Sequence, residues 1–599
     1  MHLASPISLL GLSSVTFAAL DCRPAGPTVP RAKNLAHSSV FTATTEDLTS
    51  LLDQAVAGDI AAGWAVPNAT FSLALVSVSQ EDPGIPLWEY HHLADANANG
   101  TEQLDRDSQY LIGSVSKAFS ALVLLLSDVE LDAPVTDYLP ELASNSPTHA
   151  WDQVSLRSLG DHLSGAPTNY GFADYYYLAE YFQSLGFPAI DNDEYPICGV
   201  IGLSGDCTKE KLLEGVLNAR PNAAPMEQPV YSNLAFTLFI LACEAATGKN
   251  YTTLVKDLIA EPLGMKNTSP SPGDSSRAVI PPVDNSWGSD YGINAPAGGL
   301  VSSLSDLSIF THSILSRNIP GLTASQIRAW LKPHALTGSP HGFVGMPWEI
   351  FRPGSLLPHD PSQTLTFIAK SGGAYGYRSH IALLDSHGVA LVLATAGDMF
   401  ALPYMYDAML STLIPAVDLA AREEASSTIV GSFASSSPCE GSTTNSSTPC
   451  VEATLVLEET LELTSLARDG KDILAAISEL WLVTVGAQLA HIVPRFRFFP
   501  TEEIKRGKVS GRDITKEVWR AWFEPEPANS KSGLPGQGIS AQECVGWTLH
   551  DWIHYGSEPV DRMLVVRDAE DGDVIGVEFP FLRSGILELV ELVGGGLGE

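Results

Sequence analysis

The stretch YLIGSVSKAFSAL, from Tyr110 to Leu122, contains the only Ser-x-x-Lys in the sequence, formed by Ser114 and Lys117. A helix that begins at Ser114 places both side chains on one face, because residues three apart on a helix are neighbours. The lysine amine then reaches the serine hydroxyl, which gives a nucleophile beside a candidate base. A serine in the first turn also lies near free backbone N–H groups that favour a developing anion.

Composition limits the classes of function. The chain has 599 residues, enough for two or more domains, and 45% of them are hydrophobic. Its 34 basic residues against 69 acidic ones give a net charge of −35, which repels a phosphate backbone, so we expect no nucleic-acid partner. No Cys-x-x-Cys or His-Glu-x-x-His occurs, and we therefore expect no metal and no cofactor.

The N-terminal residues predict secretion. Residues 1–20 are apolar, too short to span a bilayer, and end in small residues, which is typical of a signal peptide; a buried N-terminal helix is the alternative. Residues 21–39 form a Pro-rich leader, and no later segment is long enough to cross a membrane. Asn-x-Ser/Thr triplets, which are glycosylation acceptors in secreted proteins, occur at Asn68, Asn99, Asn250, Asn267 and Asn445.

Seven cysteines fit an oxidising compartment. Cys198 and Cys207 enclose a short Gly-containing loop, so we pair them. For the same reason we pair Cys439 with Cys450, which enclose a Ser/Thr-rich loop. Cys243 lies in an apolar helical run and is expected to be a buried free thiol. The sequence does not decide whether Cys22 and Cys544 join.

Two further motifs follow the Ser-x-x-Lys. Tyr231-x-Asn233 precedes a strongly apolar helix that ends at Gly248. Lys370-Ser371-Gly372 follows a hydrophobic run, and we expect the strand to end near Lys370, with Gly372 and Gly373 forming a turn or bulge before an antiparallel partner. A second Lys-Ser-Gly, at 531–533, lies in a Pro/Gly-rich loop and is not favoured.

A change in composition predicts the domain organisation. We expect one domain at 40–415, a Ser/Thr-rich linker at 416–450 and a β-rich C-terminal domain at 451–599. Alternating runs predict strands in the last domain, at Thr454–Leu463, His491–Phe499, Glu517–Phe523, Cys544–Trp552 and Met563–Pro580.

In this order, the three motifs resemble the signatures of the serine β-lactamase and penicillin-binding protein superfamily, and Tyr-x-Asn is similar to its class C and esterase-like branch. The flanking phrases YLPEL, EPLGM, PAGGLVSSLSDL and GMPWEI are similar too, and the chain looks like fungal secreted members. The resemblance covers about residues 40–415. It implies an α/β (α+β) fold with an antiparallel sheet flanked by helices and an all-helical subdomain.

The resemblance also implies roles. Ser114 is the residue that becomes acylated, and either Lys117 or Tyr231 is the base. Asn233 orients Lys117 or the substrate, and Lys370 holds positive potential over the site. Ser371 and Gly373 are expected to bind substrate, with the N–H groups of Ser114 and Gly373 as the oxyanion hole.

We therefore predict a secreted serine hydrolase that acts on a small-molecule or peptide-like ester or amide. Ester substrates are favoured over β-lactams. No Gly-x-Ser-x-Gly is present, which excludes the nucleophile elbow of α/β-hydrolases. One alternative is an acyltransferase in secondary-metabolite biosynthesis. Another is a non-catalytic binding protein on the same scaffold.

Overall fold

The computed structural model describes residues 23–97, 99–143, 148–436, 450–493, 495–525 and 543–591. The expected signal peptide at 1–20 lies outside them. The chain divides into two compact units. The large unit comprises Arg31–Leu356 and Thr364–Ala421, and the small unit comprises the other described residues.

An eight-stranded antiparallel sheet forms the centre of the large unit. The strands Ala69–Ser77 and Val389–Gly397 are buried along their whole length, because helices cover both faces of the sheet. The strand order across the sheet is Trp88–His92, Ala69–Ser77, Val389–Gly397, Tyr377–Leu384, Phe367–Ala374, Glu349–Phe351, Gly342–Val344 and Ala335–Leu336.

Most of the helices between Ser116 and Trp330 pack into one apolar core. Within it, the rings of Phe119 and Phe310 stack with their centroids 4.1 Å apart. The helices are Ser39–Ala57, Ser116–Leu126, Leu156–Gly160, Ala179–Ser184, Lys209–Val216, Asn233–Thr247, Tyr251–Val255, Glu261–Leu263, Ala295–Gly298, Leu304–Leu315, Ala324–Trp330 and Ala401–Thr428, the last running on past Ala421. This combination of antiparallel sheet and helices confirms the predicted fold class.

Two small sheets complete the large unit. The strand Leu300–Ser303 pairs with both Gln109–Leu111 and Ser269–Pro270, and Asn99–Gly100 pairs with Val279–Ile280. The first of these sheets fixes the chain just before the Ser-x-x-Lys motif.

A second antiparallel sheet forms the small unit, which confirms the predicted β-rich C-terminal domain. It closes on itself, because Val451–Leu457 pairs with both Gly431–Ala434 and Leu461–Arg468. Its other strands are Lys471–Asp472, Arg497–Val509, Arg512–Trp522, Arg562–Asp568, Val574–Glu578 and Ile586–Glu591, and this unit also contains the helix Ile473–Val483 and the hairpin His554–Tyr555 with Glu558–Pro559.

Two expectations for the C-terminal part of the chain differ from this structure. The strand predicted at Cys544–Trp552 is wrong, because a short 3-10 helix, Val545–Thr548, occupies the segment. Part of the expected linker at 416–450 is helical, since the helix Ala401–Thr428 continues through it. Its residues Ala420–Glu424 are Ala, Arg and Glu, which are strong helix formers although few of them are apolar. No helix among the described residues is long and apolar enough to cross a membrane.

Candidate active site

Ser114 lies in a single 3-10 turn, Gly113–Val115, between a strand and a helix. The helix begins at Ser116 and not at Ser114 as expected. The tight turn nevertheless brings the two side chains of the motif together, with the Nζ of Lys117 at 3.1 Å from the Oγ of Ser114. Ser114 is half-buried, so its hydroxyl is accessible from a cavity.

The Lys117 side chain is fully buried. Its Nζ also contacts the Oδ1 of Asn233 at 2.7 Å and the backbone carbonyl of Ala297. Burial lowers the pKa of this amine well below its ordinary value, and the nearby Lys370 ammonium lowers it further, while Glu349 opposes the shift. The Asn233 and Ala297 oxygens can only accept hydrogen bonds, so the two N–H groups of a neutral amine point to them. The lone pair of that amine then faces the Ser114 hydroxyl.

Tyr231 contacts the same serine from another side. Its hydroxyl donates to the Oγ of Ser114 at 2.7 Å, and its ring stacks on His162 with 4.6 Å between centroids. Burial raises the pKa of the phenol, although the hydrogen bond to Ser114 acts in the opposite direction. The structure therefore holds Tyr231 as a protonated donor toward the serine.

Asn233 is the first residue of the helix Asn233–Thr247, whose N-terminus is capped by the Ser232 hydroxyl. The amide accepts from Lys117 through Oδ1 and donates through Nδ2 to the Oδ1 of Asn169 at 2.8 Å. Asn169 therefore fixes which end of the amide faces the lysine. Sequence reasoning did not identify Asn169, because a lone Asn in a loop carries no motif.

Lys370 is buried beside the site, with its Nζ 5.3 Å from the centroid of the Tyr231 ring. It forms an ion pair with Glu349, whose carboxylate also accepts from the N–H and hydroxyl of Ser371 at 2.9 and 2.7 Å. Burial lowers the pKa of Lys370, and Glu349 opposes that shift. Glu349 was missed as a site residue, although it stands in the quoted phrase GMPWEI.

The turn expected at Gly372 and Gly373 is wrong. The strand continues as Phe367–Ala374, and the chain turns at Gly376, where φ is +87°. A Cβ on Gly372 would lie 2.1 Å from the carbonyl oxygen of Ile112, so glycine is needed there because the strand packs directly against the serine turn. This close approach brings Gly373 and Ser114 to the wall of one cavity of about 540 Å³.

The predicted glycosylation sites differ in their surroundings. Asn68, Asn99 and Asn250 are exposed, but Asn267 is buried and its amide is bonded to Asp107 and Arg277, contacts that a glycan on the amide nitrogen would disrupt. Asn445 and the second Lys-Ser-Gly at 531–533 lie outside the described residues.

A disulfide joins Cys198 and Cys207, the expected pair. Cys450 and Cys544 each take part in a disulfide. Cys22 and Cys439 lie outside the described residues. Cys243 is a buried free thiol, as expected. Within the described residues, no three His, Cys, Asp or Glu side chains are grouped to hold a metal ion.

Two protein families match successive parts of the chain. The family model described as "Beta-lactamase" matches residues 87–413, and one described as "Beta-lactamase-like-like, C-terminal domain" matches residues 421–588. A class C β-lactamase of known structure is 18% identical, with a TM-score of 0.44 over 62% of this chain and 96% of that one.

Three curated relatives extend the comparison. A "Beta-lactamase-like protein" of Arthroderma benhamiae is 42% identical over 95% of this chain and 96% of its own length. The "Probable hydrolase M10" of a Phoma species is 25% identical over 85% of this chain and 84% of its own. The "D-alanyl-D-alanine-carboxypeptidase/endopeptidase AmpH" of Escherichia coli is 26% identical over 50% of this chain and 74% of its own. With a family model over more than half of its length and a relative matched along nearly all of it, this chain belongs to the β-lactamase family within the serine β-lactamase and penicillin-binding protein superfamily.

Proposed function

We propose that this protein is a serine hydrolase that cleaves an ester or amide through an acyl-enzyme on Ser114. The observation that carries the proposal is the pair of contacts on one hydroxyl, from Lys117 at 3.1 Å and from Tyr231 at 2.7 Å. A serine hydroxyl is a weak nucleophile and needs such a base. A purely structural serine has no use for a buried amine and a phenol directed at the same oxygen.

We assign the proton acceptor to Lys117. The lowered pKa favours the neutral amine, whose N–H groups donate to Asn233 and Ala297 while its lone pair accepts the Ser114 proton. The Ser114 oxygen then bonds to the substrate carbonyl carbon. Backbone N–H groups of Ser114 and Gly373 are the donors proposed for the oxyanion.

We assign to Tyr231 the role of proton donor to the leaving group. Its raised pKa keeps the resting phenol protonated, so it can give its proton to the departing alcohol or amine as the carbonyl bond to that group breaks. In the second half-reaction, water attacks the acyl carbon and gives its proton to the phenolate. The bond between the acyl carbon and the Ser114 oxygen then breaks, Lys117 returns its proton to that oxygen, and release of the carboxylic acid restores the starting state.

We favour an ester over a β-lactam as substrate. Lys370 is the cation that a substrate carboxylate would approach, but it already forms an ion pair with Glu349, so little of its positive charge is left unbalanced. The β-lactams and D-alanyl peptides carry such a carboxylate, whereas a simple ester does not.

The test uses intact-mass spectrometry after exposure to a fluorophosphonate, on the parent protein and on Ser114→Ala. We expect one adduct on the parent and none on the variant, together with hydrolysis of p-nitrophenyl butyrate that the variant lacks. Ser116→Ala is not a suitable control because that hydroxyl is buried and bonded, so the exposed Ser325→Ala serves instead. An adduct that persists in Ser114→Ala would contradict the assignment, and nitrocefin turnover at the rate of the ester would contradict the substrate class.

We also propose that the protein follows the secretory route. The four disulfide-bonded cysteines Cys198, Cys207, Cys450 and Cys544 support it, since structural disulfides persist in oxidising compartments. Glycan mapping of secreted protein tests it: Asn68, Asn99 and Asn250 are the expected acceptors among the described residues. A glycan on Asn267 would contradict its burial.

A further inference from the structure

Residues 172–201, here called the aromatic segment, expose an unusual amount of apolar surface. Eleven of the 34 large hydrophobic side chains that are exposed in the described part of the chain lie in these thirty residues. Among them Tyr177 and Tyr181 are each 60% exposed, Leu185 is 59% and Phe187 is 57% exposed. Exposed apolar side chains concentrated in this way are typical of a binding surface.

The aromatic segment is built into the large unit. Cys198, within the segment, is held by its disulfide to Cys207, and two ring contacts, between Tyr176 and Tyr195 and between Phe182 and Phe187, hold the segment internally at 5.3 and 5.4 Å between centroids. Its exposed side chains are therefore carried on an ordered platform.

This surface is continuous with the candidate active site. Phe172 and Ile201, near the two ends of the aromatic segment, line the same cavity of about 540 Å³ as Ser114. Tyr291 and Tyr375 contribute aromatic side chains to the other walls. A chain attached to an acyl group on Ser114 can thus contact Phe172 and Ile201, the side chains of the segment that line the cavity.

The charge of the aromatic segment limits the kind of ligand that it can bind. The aromatic segment contains five acidic residues and no Lys, Arg or His. Asp290 adds a further carboxylate to the cavity. An anionic chain, or an anionic lipid surface, is repelled by this arrangement, whereas an uncharged hydrocarbon chain is not.

We propose that the aromatic segment binds the long, uncharged hydrocarbon chain of the acyl donor whose carbonyl reacts with Ser114. The inference rests on the proposed function, because it concerns the substrate of the same site. Removing one methylene from water is worth about a four-fold gain in binding. An octanoyl donor, with four more methylenes than a butyryl donor, is therefore expected to react at least about ten-fold faster even when burial is partial.

The experiment measures how fast Ser114 is labelled by a short-chain and by a long-chain alkyl fluorophosphonate, both below the concentration at which the reagent forms micelles. The parent protein is compared with Ile201→Ser, whose side chain is 67% exposed and can be changed without disturbing the core. Val483→Ser, at 66% exposure in the small unit, is the matched control for losing an exposed apolar side chain. We expect the long-to-short ratio to fall several-fold in Ile201→Ser, to stay unchanged in Val483→Ser and to recover in Ile201→Leu.

The outcomes separate the two proposals. No labelling by either reagent refutes the proposed function itself. Equal rates for the two reagents on the parent protein leave the nucleophile in place and refute the chain-binding inference. A chain-length preference that appears only above the micelle concentration would show that an aggregate of the reagent occupies the segment. A dimer in sedimentation analysis that Leu185→Ser dissociates would show that a second copy of the chain occupies it. Either result would overturn the inference. A reagent whose chain ends in a carboxylate is expected to lose the long-chain advantage.

Discussion

Replacing Lys117 by arginine removes a side chain that can be deprotonated and leaves a cation that cannot. In the structure the Lys117 amine is fully buried, lies 3.1 Å from the Ser114 oxygen and has its pKa lowered, first by burial and then by Lys370. If this amine accepts the serine proton, activity requires its neutral form. The rate of acylation should therefore rise with pH and reach its plateau well below the ordinary pKa of lysine.

The size of the effect follows from the role of the amine. Positioned general bases contribute about 10²- to 10⁴-fold, which is about 3 to 5 kcal/mol of transition-state stabilisation. Asn233 and Ala297 hold the amine in place whether it is charged or neutral, so the loss in Lys117→Arg should appear in kcat rather than in KM.

The assay is kcat/KM for p-nitrophenyl butyrate between about pH 5 and pH 10, the range in which a lowered lysine pKa is visible. Lys117→Met, which lacks the charge but nearly keeps the length, controls for crowding by the guanidinium, and the surface variant Lys256→Arg controls for the substitution type. Circular dichroism verifies folding. Activity of either Lys117 variant within ten-fold of the parent, or an ascending limb that survives in both, would refute the assignment of Lys117 as the base.

Three further changes have defined outcomes. Tyr231→Phe deletes only the hydroxyl that donates to the nucleophile and should lower kcat by about 10²-fold, with little change in KM, for an unactivated alkyl ester such as ethyl butyrate, whose alkoxide leaving group needs a proton; an unchanged kcat would remove the phenol from the mechanism. Gly372→Ala places a methyl group 2.1 Å from the carbonyl oxygen of Ile112 and should destabilise the large unit by about 1–3 kcal/mol in urea unfolding; stability equal to the parent would contradict the close approach. Phe119→Ala removes a fully buried ring stacked on Phe310 and should cost about 3–5 kcal/mol in the same measurement, with a loss below about 1 kcal/mol arguing against that packing.

The order of three short motifs was enough to predict the fold and to select Ser114, Lys117 and Tyr231, which the structure brings into mutual contact. What the sequence did not reveal depends on pairings between distant residues. Glu349 reaches Lys370 because its strand pairs with the lysine's strand in a register that no local pattern encodes.

The error at Gly372 has a similar origin. A glycine pair after a hydrophobic run is typical of a turn. The same pattern also occurs in a strand against which another backbone packs closely, and the local sequence does not distinguish the two. Asn267 is a second case in which a local pattern is not sufficient. Its triplet predicts a glycan, and only the fold reveals that the amide is buried against Asp107.

The register of the central sheet also bears on how the protein is made. Ala69–Ser77 pairs on one side with its near neighbour Trp88–His92 and on the other with the distant Val389–Gly397. The strand that carries Lys370 is connected to Ala69–Ser77 through Tyr377–Leu384 and Val389–Gly397. During synthesis the nucleophile therefore emerges from the ribosome long before the strands that complete its surroundings. Folding of the large unit must wait for these late strands, and pairing between such distant segments is slow. The surroundings of the nucleophile are thus completed only after most of the large unit has been synthesised.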